Sequence, residues 1–409
     1  MRLCRVEARS RRVDENRRKG NGTAWHQRPC DPSRRQGQCR RPRRTITGRG
    51  RAARVISCRT RSTGNHRESD QSPGLERWQT RLLTEINHKR GEINMRTLDL
   101  LASDSSHLPF LYVFKESRVM EKYGYEIDLH IVGGAKAPTM AHRAKLALAG
   151  EIDFLSGLHH ETYRERAKGE KRLTYLAQAQ NNWDDRLVAS AEIKNVEDLK
   201  GRKIVCHAKA PCVSGNLRAV LETCGLKPEE INMDVIDDRS GKFLEFVDEI
   251  TSGKAVAALV DMPFDLYGIT KGLHVVELPD RPVIHNTTLL ATTDYIKDNE
   301  ETVYAFLKGF IEALHFFKTK PDQVVPILKA NLATRYGLQD DEYYVHLQRE
   351  WAKLLSKKPY PLPGAIQNVY DLDVGKDPKM HHIGPMEPWD LHYLRKIDDS
   401  GFIDQLYAA

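Results

Sequence analysis

The pattern of apolar and polar positions changes at Met95. Before it, neither helical nor strand periodicity is present; after it, short apolar runs and helical spacings alternate to the end of the chain. Residues 98–102 read as a short apolar strand stopped by the turn-forming Ser103-Asp104-Ser105-Ser106. Residues 110–122 have helical spacing, with Phe110, Val113, Phe114 and Met120 as core positions. Residues 125–132 alternate as a strand up to Gly133-Gly134. Residues 139–149 are helical and end at Gly150, and residues 152–155 form a third strand ending at Ser156-Gly157. Strand, loop and helix at this spacing predict a parallel sheet covered on both faces, with ligands gathering beyond the carboxyl ends of the strands.

The pattern restarts after Trp183. Strands are expected at 203–206, 233–236, 256–260, 275–276 and 287–292, with helices at 215–224 and 243–251. From Asn299 onward the chain is mainly helical, and Phe306, Phe310, Leu314 and Phe317 share one apolar face. The fold class expected is α/β with two lobes, each a parallel-rich sheet flanked by helices. Lobe 1 takes residues 95–187 together with a helical tail, 285–409, that returns to cover it. Lobe 2 takes residues 188–284. Two crossings between the lobes make a hinge.

Charge divides at the same point. Residues 1–94 hold 25 Lys and Arg against 9 Asp and Glu; of the chain totals of 64 and 56, this leaves 39 against 47 for residues 95–409. The net +8 is therefore made by the first segment, and the body behind it is acidic. Low hydrophobicity and high charge predict that residues 1–94 are a disordered basic leader, and the expected natural start is Met95. A secretory signal needs an apolar core of about 7–15 residues, and this stretch has none; Ser10-Arg11-Arg12 is followed by Asp14, Glu15 and Asn16. No run approaches the roughly 18 apolar residues of a membrane span. The chain as written is thus expected in the cytoplasm, or in the periplasm if the start or signal is mis-assigned. Nucleic acid is not an expected partner of the body. Cys206, Cys212 and Cys224 are an odd set without metal-site spacing.

Several phrases resemble type II solute-binding proteins, the two-lobe Venus-flytrap fold. Asn195-Val196-Glu197-Asp198-Leu199-Lys200-Gly201-Arg202-Lys203-Ile204 resembles their strand-entry phrase. Ala149-Gly150-Glu151-Ile152-Asp153-Phe154 resembles the phrase before a cleft loop, and Ser252-Gly253-Lys254-Ala255-Val256-Ala257-Ala258-Leu259 its counterpart in the second lobe. The similarity covers most of 97–330 and lies in the branch of alkanesulfonate-binding proteins and thiamine-pyrimidine synthases (SsuA/THI5-like). The ending Glu387-Pro388-Trp389-Asp390-Leu391-His392 is similar to relatives described as transporter binding proteins or as dihydroxyphthalate-decarboxylase-like. The resemblance implies hinge-closing binding of a small anionic or heterocyclic molecule, as the substrate-binding component of an ABC-type uptake system with a membrane permease as partner. The alternative it implies is a cytosolic enzyme on the same scaffold. The synthases' cysteine-dense motif is missing, since Cys206 and Cys212 stand isolated.

Four loops are expected to line the cleft. Ser105, Ser106 and His107 follow the first strand, where hydroxyls and free helix N–H groups can hold an anion or simply cap a turn. Gly133 and Gly134 allow close backbone approach to a ligand, or only a turn. Ser156, Gly157 and His159 follow the third strand; adjacent His159 and His160 point different ways and make a poor metal pair. Cys212, Val213, Ser214 and Gly215 open the first helix of lobe 2. Trp183 near the hinge can stack on a planar ligand or pack between lobes. Asp261 at a strand end can bind an amine, act as an acid or base, or cap the next segment. Lys136, Lys209, Arg239 and the loop histidines outweigh Asp104, Asp238 and Asp261, which points to an anionic ligand. No catalytic residue, metal or cofactor is assigned.

Overall fold

The computed structural model describes residues 95–103, 107–133, 139–235 and 242–408, all within one compact unit, Ser69–Ala409. The leader expected over residues 1–94 lies outside the described residues, as do Ser105, Ser106 and Gly134.

Among the described residues ten strands form two five-stranded sheets: β1 Arg96–Ser103, β2 Tyr125–Val132, β3 Phe154–Ser156, β4 Leu173–Gln178, β5 Arg186–Ala189, β6 Lys203–Cys206, β7 Asn232–Val235, β8 Ala257–Val260, β9 His274–Val275 and β10 Thr288–Thr292. Their orders are β2-β1-β3-β10-β4 and β7-β6-β8-β5-β9. In the first, β1 lies between parallel partners, with Leu98 opposite Ile127 and Ala102 opposite Ser156. In the second, β6 does the same between β7 and β8. Each sheet then takes one antiparallel strand at the same place, β10 against β3 and β5 against β8. The apolar run that marks β1 has this cause: Leu98, Leu100 and Leu101 are buried because helices cover both faces of a parallel sheet.

The strand-end loops of both sheets meet because the chain crosses between them twice. The crossing segments, 179–185 and 276–287, run antiparallel: Trp183 N donates to Arg281 O at 3.0 Å and Val283 N to Asn181 O at 3.0 Å. The tail joins them. Ser356 N donates to Ala179 O at 2.8 Å, and Asn181 ties it twice, donating Nδ2 to Tyr360 O at 2.9 Å and accepting Leu362 N at 2.8 Å. The hinge is therefore three segments thick.

Helix Glu300–Thr319 packs on the first sheet. Phe306 lies 3.7 Å from Phe154 in parallel stacking, and Phe310 meets Phe110 edge-on at 5.0 Å. The rest of the tail also packs on lobe 2. Tyr336 packs on Phe264 at 5.1 Å, and His346 Nε2 bonds Asp265 Oδ2 at 2.9 Å. Helix Pro363–Leu372 sinks Ala365, Ile366 and Val369 into the second-sheet core beside Val213 and Leu217. Beyond it, Val374 and Ile383 return to the first-sheet cluster around Leu101, Leu155 and Tyr163. The apolar faces of the tail are thus buried on both lobes. Among the described residues no helix is long and apolar enough to cross a membrane.

Candidate functional site

The turn after β3 builds one wall of the cleft. Gly157 has φ 118°, a conformation that strains any other residue, and a Cβ there would stand 3.5 Å from His107 Cε1. Leu158 follows at φ 58°, and Gly157 N is pinned to Thr288 O at 3.0 Å. This places His159 and His160 at the start of helix Glu161–Ala167. His107 enters from the end of β1, its Nδ1 3.1 Å from Ser156 Oγ. The rings of His107 and His159 stack at 6.2 Å, and those of His159 and His285 at 6.4 Å. His285 comes from the second crossing segment, so the stack runs from lobe 1 into the hinge.

A cavity of about 320 Å³ opens between these loops and those of lobe 2. Lobe 1 lines it with His107, Gly133, Arg143, Gly157, His159 and His160 among others. Lobe 2 supplies His207, Ala208, Ala210, Pro211, Cys212 and Val213, and the hinge supplies His285 and Asn286. Val132, Met140, Leu158, Pro211 and Val213 make much of the wall apolar. The volume suits a small organic molecule.

Charge is distributed unevenly around it. Burial holds the His159 imidazole down at about 3, with the charge of His285 adding to the effect. His160 falls to about 3 and His207 to about 4 for the same first reason, burial, and His107 also lies well below the ordinary value. His285 behaves oppositely. Burial pulls it down, but the hydrogen bond and charge of Asp184, with Asp185 and Asp261 nearby, outweigh that and raise it to about 9. One imidazolium therefore sits beside four neutral rings at pH 7. Arg143, only 7% exposed, is bonded to Ser103 Oγ and lowered by burial to about 10, so it keeps its charge. Glu161 is paired with Arg164 at 3.3 Å and Lys168 at 3.8 Å.

Of the residues expected at the site, His107, Gly133, Gly157, His159, Cys212 and Val213 are brought together on the cavity wall. Ser156 stands behind it as the partner of His107. Trp183 is buried with its Nε1 donating to Asp185 Oδ2 at 2.9 Å, packed in the second core at the hinge. Ser214 bonds back to Ala210 O at 3.3 Å inside the π-helical turn Pro211–Gly215, and a Cβ added at Gly215 would stand 3.6 Å from Leu372 Cδ2. Asp261 is buried near Asp185, whose carboxyl is raised by burial and then by Asp261. Arg143, Arg164, His285 and Asn286 line the cavity without having been singled out in the sequence. Arg143 lies in an ordinary helical run, and His285 gains its meaning only from Asp184, 101 positions away.

Two sets of three potential metal ligands occur among the described residues, Asp184 with Asp185 and His285, and Asp99 with Asp128 and His130. Each is closed by internal hydrogen bonds: His285 and Asn286 engage Asp184, Trp183 engages Asp185, and His130 engages Asp99 at 2.9 Å.

A family model described as NMT1/THI5 like matches residues 126–324. No curated protein matches the chain. Among solved structures, a protein of Bordetella bronchiseptica RB50 is 18% identical with a TM-score of 0.55, covering 76% of this chain and 99% of that one. The periplasmic aliphatic sulphonate binding protein SsuA of Escherichia coli is also 18% identical, with a TM-score of 0.51 over 68% of this chain and 91% of its own. A conserved Candida albicans gene product with the generic periplasmic binding protein fold is 13% identical, at a TM-score of 0.51 over 72% and 96%. At these identities the structural likeness is one of fold. The two sheets of matched order and the double crossing are those of the two-lobe periplasmic binding protein fold, and over residues 126–324 the chain is similar to the NMT1/THI5-like family.

Proposed function

We propose that residues 95–409 close as a hinge around a small organic anion and serve as the substrate-binding component of an ABC-type uptake system. The observation that carries this reading is the cavity between the lobes, apolar over much of its wall, with the buried guanidinium of Arg143 on one side and the His285 imidazolium at the hinge. His285 commits Nδ1 to Asp184 at 2.8 Å, which leaves Nε2–H as a charged donor for a guest. Charged donors in a site of low dielectric favour a carboxylate or sulfonate over a neutral molecule. The aliphatic sulphonate named for the Escherichia coli relative has this chemistry. An affinity near 1 μM corresponds to about −8 kcal/mol, and only the share expressed in the closed state drives closure.

The transport role requires the body to act outside the inner membrane and to present its closed form to a permease. The cytoplasmic placement expected from the sequence has no support among the relatives, of which the Escherichia coli protein is named as periplasmic. The enzyme alternative draws no support from Cys212, whose thiol is pushed up to about 12 by burial and by the charge of Asp185, so that it holds no thiolate at neutral pH.

A thermal-shift panel of alkanesulfonates, aliphatic carboxylates, aromatic carboxylates and neutral heterocycles tests the reading. Acids that raise the melting temperature support it. Stabilisation by the neutral members alone contradicts it.

A further inference from the structure

The cavity wall contains polar atoms that the protein leaves without partners. Both ring nitrogens of His160 and the Nδ1 of His207 are buried and lack a hydrogen bond, and both residues line the cavity, one from each lobe. The nearest carboxylate to His160 is Asp373, 3.7 Å from Nδ1 and beyond hydrogen-bond reach. The His207 ring packs edge-on against Phe243 at 5.1 Å and is engaged by the Leu259 backbone. A backbone carbonyl accepts and therefore fixes the proton of a neutral imidazole on the nitrogen it faces. That leaves Nδ1 of His207 as a bare acceptor. Buried polar groups are satisfied in nearly all folded proteins, so an unsatisfied acceptor on a cavity wall calls for a donor from outside the chain. A simple carboxylate or sulfonate has acceptors only and cannot supply one.

We propose that the guest of this cleft is a hydroxylated organic acid whose hydroxyl donates to His207 Nδ1 while its acid group meets Arg143 and His285. His160 takes a second polar contact from the opposite lobe, so that the hydroxyl side of the guest is read by both lobes in the closed form. The inference rests on the anion-binding reading above and narrows it to acids that also carry a hydrogen-bond donor. A site built to bond a hydroxyl discriminates strongly against the analogue without it, because its own buried group is then left unpaired. His207 is thus a specificity residue.

The test is titration calorimetry of the full chain with benzoate and the three monohydroxybenzoates, on wild type, His207→Phe and His207→Asn. At least one hydroxybenzoate is expected to bind about tenfold or more tightly than benzoate to wild type. In His207→Phe that ratio should fall to within about twofold, and His207→Asn, which keeps an acceptor oxygen, should recover part of it. Circular dichroism melting establishes that each variant is folded, and His207→Asn alone suffices if His207→Phe is not. Equal affinity for benzoate and all three hydroxybenzoates in wild type overturns the inference and leaves anion binding standing. A hydroxyl preference unchanged in both variants also overturns it. Failure of every acid to bind overturns the inference and the reading beneath it together.

Discussion

Asp184 and His285 join the two crossing segments through a buried hydrogen bond, Oδ1 to Nδ1 at 2.8 Å, with both side chains nearly excluded from water. The same histidine faces the cavity. One pair therefore sets both the geometry of the hinge and the charge offered to a guest. His285 is raised from its ordinary 6.5 to about 9, so its contribution to stability is complete below about pH 6.5 and is lost as pH rises through 9. Asp184→Asn should lower the His285 pKa below 7 by nitrogen-15 NMR titration. It should also cost roughly 3 kcal/mol in urea unfolding at pH 7, the size implied by a shift of this order. An unmoved His285 titration would contradict the pairing.

The neutral histidines have the opposite sign. His159, His160 and His207 are held near 3, 3 and 4, so the unfolded chain takes up protons below pH 6.5 that the folded chain refuses. Their stabilising effect is present above about pH 6.5 and is lost as pH falls toward those folded values. Each contributes up to about 1.4 kcal/mol per pH unit in that window. Urea unfolding at pH 7, 6 and 5 should show a steepening loss of several kcal/mol, reduced in His159→Phe. A flat profile would show these rings to be protonated or exposed.

Gly157 holds the turn that aims His159 and His160. At φ 118°, alanine is strained by backbone conformation, while its Cβ would only touch His107 at ordinary contact distance. Gly157→Ala should therefore destabilise by about 1–3 kcal/mol and weaken ligand binding through displaced histidines. Retained stability and affinity in melting and calorimetry would show that the turn tolerates a side chain.

Asn181 clamps the tail to the first crossing segment by donating to Tyr360 O and accepting from Leu362 N. Asn181→Ala should cost about 2 kcal/mol, the sum of two modest bonds and the groups left behind. Hydrogen exchange should speed up over residues 355–372 before the sheets respond. Uniform exchange across the body would argue that the tail is not a separate brace.

The strands that sequence reading identified are those whose burial matches a simple pattern. β1 announces itself as an apolar run, and helix Phe243–Thr251 by Phe243, Phe246, Val247 and Ile250 along one buried face. β4 was not legible: Leu173–Gln178 is buried at every position yet mixes Thr and Gln with Leu and Tyr, because Gln178 turns its amide to the carbonyls of the crossing segment. β5 is short and was hidden in the approach to the hinge. The cavity histidines were visible as loop residues, but their convergence depends on strand order. Trp183 and Asp261 have residue types suited to a site, yet burial turns both to the hinge interior. Chemistry could be read from residue type; its neutralisation or exposure could not.

Native mass spectrometry of protein purified without added ligand tests the central claim most directly. Wild type should carry, at one per chain, a small organic acid that denaturation releases, and Arg143→Met should lose it while remaining folded. A bound neutral or cationic molecule, or an acid held equally by Arg143→Met, would contradict an anion site built between the lobes.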